Sequence, residues 1–151
     1  MEINKNIVDV LNKMNFAERY KILCDTHDKL EDRMGDEHYL QIENFFVNKN
    51  LPIKYMKKEK FFMIKEAKRI YDIQLNIIPY KGFIQFVIDV RKNKERLNLA
   101  LGTWESITKI LKGYDVKKPI YTSLEDLFGI LEDAFSIYED FKHELLEQEN
   151  I

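Results

Sequence analysis

One cysteine, Cys24, excludes an internal disulfide and every metal site built from clustered cysteines. The 5 glycines stand apart, at positions 35, 82, 102, 113 and 129. A phosphate-cradling loop needs glycines close together, so that successive backbone N–H groups converge. Neither Gly-x-Gly-x-x-Gly nor Gly-x-x-x-x-Gly-Lys-Ser/Thr occurs. His-Glu-x-x-His and EF-hand spacings are also missing. No apolar run approaches the roughly 20 residues that cross a bilayer, so no membrane role is expected. The first residues, Met-Glu-Ile-Asn-Lys, have neither the basic start nor the apolar stretch of a secretory signal. Together with the lone cysteine, this makes the cytoplasm the expected compartment.

A chain of 151 residues, 45% hydrophobic and 33% charged, is most simply one domain with its own core. The net charge of -2 conceals a segregation. Residues 1–49 carry 7 basic and 10 acidic side chains, residues 50–118 carry 16 and 7, and residues 119–151 carry 1 and 9. The middle is basic and the end acidic. Such blocks either neutralise each other across the fold or face different partners.

Residues 70–101 alternate and read as three antiparallel strands. Tyr71, Ile73, Leu75 and Ile77 share one face, and Ile84, Phe86, Ile88 and Val90 share the next. Pro79-Tyr80-Lys81-Gly82 is the first turn and residues 91–95 the second, before Leu97, Leu99 and Leu101. Helical spacing is expected over residues 3–14, 16–34 and 37–47. Asn15 and Glu18 form a capping-box pair for the second helix, Gly35 ends it, and Asp36 caps the third. Residues 53–69 are rich in Lys, Glu and Ala and read as a helix, with a fourth strand as the alternative. After the sheet, Thr103 caps a helix from Trp104. Ser123 opens the last helix, with Asp126 in the capping-box position and a stripe from Leu124 to Leu145. Gly129 inside it is either a point of close approach to another element or incidental. The expected fold is α+β: a small meander of three strands, or four, packed against N-terminal helices and a long C-terminal amphipathic helix.

Three groups of residues carry candidate chemistry. His27 and His38, with Asp28, Asp32 and their acidic neighbours, have the donor types of a metal-dependent hydrolase. His27 lies on an apolar stripe, where packing is the ordinary role. Cys24, on the same stripe, is expected to be buried and not nucleophilic; His143 is expected to be solvated. Lys54, Lys57, Lys58, Lys60, Lys65, Lys68 and Arg69, interleaved with Tyr55, Phe61 and Phe62, have the makeup of a nucleic-acid-binding module. The slightly acidic whole chain argues against that use. The acids of the last helix recur in pairs, and Glu132, Asp133, Glu139 and Asp140 are the candidate partner-binding residues. The resulting expectation is a protein-binding module without enzymatic activity, cofactor or metal. In its sharper form it is an inhibitor, an immunity protein or antitoxin that neutralises a basic toxin or nuclease.

Overall fold

The computed structural model describes residues 4–35, 37–97 and 102–148. Three helices open the chain: α1 (Lys5–Lys13), α2 (Phe16–Thr26) and α3 (Tyr39–Asn48), with a 3-10 turn at Leu30–Asp32 between the last two. Five strands follow in sequence order: β1 (Ile53–Met56), β2 (Phe61–Lys68), β3 (Tyr71–Tyr80), β4 (Phe83–Lys92) and β5 (Glu95–Arg96). Every neighbouring pair is antiparallel. Helices α4 (Trp104–Lys112) and α5 (Leu124–Gln148) close the fold. It is α+β, with a five-stranded sheet. No helix among the described residues is long and apolar enough to cross a membrane.

The long hairpin β3–β4 follows the expected alternation. Ile73 faces Val90, Leu75 faces Ile88 and Ile77 faces Phe86, all on the inner side and all buried. Lys81 and Gly82 both have positive φ, as the two central residues of a tight hairpin turn must. A Cβ at Gly82 would run into the Met34 carbonyl oxygen, so that position excludes any other residue. The helices share one continuous core with the inner face, where α3 packs against β1 and the start of α4 against β4. Trp104 stacks on Phe86 at 4.8 Å and meets Phe16 and Tyr20 edge-on. Along α5, Leu127, Ile130, Leu131, Ala134, Ile137, Tyr138, Phe141 and Leu145 are buried. Helix α5 is fastened to β2 by one buried cluster: Lys142 Nζ and Tyr138 Oη each donate to Glu66 Oε2 at 2.7 Å.

Residues 53–69 are two strands and not a helix. Tyr55, Phe62 and Ile64 point to the core at strand period, and pairing with Ile77 and Leu75 of β3 overrides the helix preference of Lys and Glu. Helix α2 stops at Thr26, eight residues short of expectation. The Thr26 hydroxyl turns back onto the Ile22 carbonyl, and the His27 carbonyl is taken by Ile120 N–H, leaving Leu30 half exposed. Asn15 precedes α2 at φ 58 with no side-chain cap; it is instead the tight link to α1, whose own cap is Asn4. Gly35 is not left-handed, whereas His38, just before α3, is. Thr103 caps α4 through Ser106 N–H as expected. Ser123 accepts from Asp126 N–H, but the Asp126 carboxylate reaches Thr122 N–H, one residue before the box position. Gly129 meets only the His27 ring, at ordinary contact distance, so no close approach requires it. Ile3, Asp36, Leu99, Leu101 and Glu149 lie outside the described residues.

Candidate functional site

The three expected clusters sit in different places. His27 Nδ1 lies 2.6 Å from Asp126 Oδ1, although the alignment falls short of a hydrogen bond. His38 Nδ1 lies 3.3 Å from the Tyr121 hydroxyl. Each imidazole therefore faces a different group, and no three His, Cys, Asp or Glu side chains gather to hold a metal among the described residues. Asp28 and Asp32 flank and end the 3-10 turn, off any helix shared with His27. Cys24 is buried, and that burial pushes its thiol up to about 12, far from a reactive thiolate. His143 is exposed.

On α5, three of the four candidate acids hold cations of this same chain. Glu132 pairs with Lys49 at 2.8 Å, Glu139 with Lys142 at 2.9 Å and Asp140 with Arg19 at 2.8 Å. Asp133 has no ion pair among the described residues. It borders a shallow hollow with Arg19, Ser136 and Ile22, whose side chain is two-thirds exposed.

The basic stretch is divided by the β1–β2 hairpin. Lys54 and Lys65 lie on the outward face of the sheet, and Lys57, Lys58 and Lys60 occupy the tip. None of these five has an ion pair among the described residues. Lys68 lies 3.9 Å from Glu66, and Arg69 donates to the Leu146 carbonyl.

A further concavity, on the outward sheet face, falls outside the three expected clusters. The outward sheet face carries Met56, Phe61, Met63, Ile78, Tyr80, Phe83 and Val87, and not one residue of that face is buried. Backbone pairing of Val87 with Thr103, and of Phe83 with Ile120, brings two later segments to the edge of β4. They raise a wall beside the sheet and enclose a groove of about 740 Å³. Ile78, Phe83 and Val116 give it apolar lining, with Gln85, Thr103 and Ser106 as polar groups and Lys117 and Lys118 as exposed cations. Two more cations sit at its rings: Arg33 over Phe83 at 5.5 Å and Lys81 over Tyr80 at 5.4 Å.

Glu105 also lines the groove, with both carboxylate oxygens buried and without a hydrogen bond in good geometry. Burial raises its pKa. Its own backbone, the Tyr20 hydroxyl and Lys118 offset only part of that rise. One sequence signal marked this site: Ile78, Phe83 and Val87 are apolar at positions whose neighbours on the same face are Asn76, Gln85 and Asp89.

Compared with protein-family models, with curated proteins and with solved structures, the chain matches none.

Proposed function

We propose that this chain is a non-enzymatic protein-binding module, and that its partner docks on the outward sheet face with an apolar side chain in the groove. The observation that carries the reading is the groove itself. An apolar floor is left open on a sheet that is packed on its other side, and it is ringed by Lys117, Lys118, Lys81 and Arg33. Charge complementarity then calls for carboxylates flanking the partner's apolar group. Single-stranded nucleic acid fits less well. The faces of Tyr80 and Phe83 that would stack on bases already carry cations, and Ile78 and Val116 offer nothing to a base. Binding is favoured over catalysis because His27, His38 and Cys24 are each engaged or buried away from the groove.

A photo-crosslinking residue at Gln85 tests this in the native cell. A protein crosslinked there and lost in Lys117→Glu/Lys118→Glu is the expected result. A crosslink to nucleic acid, or no crosslink while a partner is still captured, overturns it.

A second reading keeps the acidic face of α5 as the dock for a basic toxin or nuclease. It is favoured by Asp133, which has no ion pair among the described residues, beside the exposed Ile22. Reversal of Glu132, Asp133, Glu139 and Asp140 together would then abolish capture, and the Lys117/Lys118 change would not.

A further inference from the structure

Tyr80 divides two hollows. On its far side lies a second one, of about 480 Å³, at the end of the sheet where both hairpin tips meet the start of α3. Its lining is of another kind. Three tyrosines contribute, Tyr39 from α3, Tyr55 from β1 and Tyr80 from β3, together with Glu37, Glu59 and Lys60. The Tyr39 and Tyr55 rings sit 5.1 Å apart, and both lean on the buried Phe62, at 6.0 and 5.0 Å. The two rings are thus packed on one another and on Phe62, which fixes the edge they present to the hollow. Neither Glu37 nor Glu59 has an ion pair among the described residues, although Lys60 lines the same hollow. Tyrosine rings attract a cation through their negative faces, and nearby carboxylates add charge attraction. Lys81 already lies over one face of the Tyr80 ring at 5.4 Å, which leaves Tyr39, Tyr55 and the two carboxylates as the main attraction for an incoming cation.

We propose that this hollow takes one cationic side chain, an alkylammonium or guanidinium, from the bound protein partner. It rests on the docking reading above only for the source of the cation. The partner segment crosses the Tyr80 ridge, with an apolar group on the Phe83 side and a basic group on the Tyr55 side. Lys60, at the rim, competes with that incoming cation.

The probe is the capped tripeptide Ala-Lys-Ala, titrated against the ring signals of Tyr39, Tyr55 and Tyr80 by NMR, with Ala-norleucine-Ala as the neutral control. The lysine peptide is expected to produce saturable shifts at all three rings and to bind about fivefold more tightly than the control. Glu37→Gln/Glu59→Gln and Tyr55→Leu should each weaken it several-fold. Tyr55→Phe should retain it, and Lys60→Ala should strengthen it. Equal affinity for the two peptides, or no shift at the three rings, overturns the proposal. The Lys117→Glu/Lys118→Glu variant leaves this binding unchanged, so failure of the groove reading is told apart from failure here.

Discussion

Glu66 and Glu105 are both carboxylates drawn out of water, one beneath α5 and the other beside the groove. Glu66 has been given partners. Burial alone would raise its pKa, but hydrogen bonds from Lys142 and Tyr138 outweigh that and hold it below the ordinary carboxylate value. Glu105 has been given almost none, and burial wins. The surroundings repeat the contrast. Four acids of α5, Glu132, Glu139, Asp140 and Glu144, are matched to Lys49, Lys142, Arg19 and Lys13, whereas Lys54, Lys57, Lys58, Lys60, Lys65, Lys117 and Lys118 have no ion pairs among the described residues. Apart from acids such as Asp133, the helix side satisfies its charges within the fold. The sheet side leaves them to solvent or to a partner.

The largest effect expected from disturbing this contrast is at Lys142. Lys142→Met strands the Glu66 carboxylate under α5 and should cost about 3 kcal/mol in urea unfolding. Adding Glu66→Gln should recover most of that loss, because an uncompensated charge is worse than no pair. Full recovery of neither would mean that packing of the lysine stem is the main contribution.

Next comes Glu105→Gln. It should stabilise at neutral pH, because it removes the charge whose burial raises the carboxyl's pKa. The two glutamates also predict opposite pH slopes. The folded Glu66 carboxyl lies below its unfolded value. Its stabilisation is therefore full above the ordinary carboxylate range, near pH 4.3, and fades as pH falls through the depressed folded value. The folded Glu105 carboxyl lies above its unfolded value. Its penalty is absent at lower pH and grows as pH rises through the interval between the two. Thermal melts from pH 3 to 8 should show the Glu105→Gln advantage vanishing on acidification and the Glu66→Gln deficit shrinking.

A smaller effect separates the two faces directly. Reversing Glu132, Asp133, Glu139 and Asp140 breaks three ion pairs that are partly exposed, with side chains 53%, 38% and 55% accessible for Glu132, Glu139 and Asp140. The exposed pairs of Glu132 and Asp140 should cost about 1 kcal/mol together, and reversal at Glu139, beside the buried Lys142, more than either alone. Reversing Lys117 and Lys118 breaks none and should leave the melting temperature within about 2 °C, while slowing association with an acidic partner in a salt-dependent way. Equal stability losses on the two faces would erase the distinction. Smallest of all, Asp140→Ala alone should fall below about 0.5 kcal/mol.

What the sequence disclosed follows the same division. The inner residues of β3 and β4 alternate without a break, so that hairpin was legible. In β2 the apolar alternation ends at Ile64, because Glu66 takes the next inward position and meets Lys142, 76 residues later. A local pattern cannot register a partner so distant, and the lysines around it favoured a helix. The groove was hidden for a related reason. Its lining comes from β3, β4, the start of α4 and residues 116–118, segments that only backbone pairing at Thr103 and Ile120 brings together. The acidic run on α5 was visible at once. Its commitment to Arg19 and Lys49 was not.

Residues 119–121 give the fold a late step. Their backbone bonds join three places at once: the His27 carbonyl, the Met34 amide and the Gly82 turn. All three lie far upstream, so this lock cannot close until most of the chain has been made, and such long-range closures are slow. During synthesis the inner sheet stays without α5 until residues 124–148 have been made. Pulsed amide exchange on refolding protein should find Ile120 and Tyr121 protected after the β3–β4 hairpin, marking the interval when the nascent chain is most exposed to aggregation.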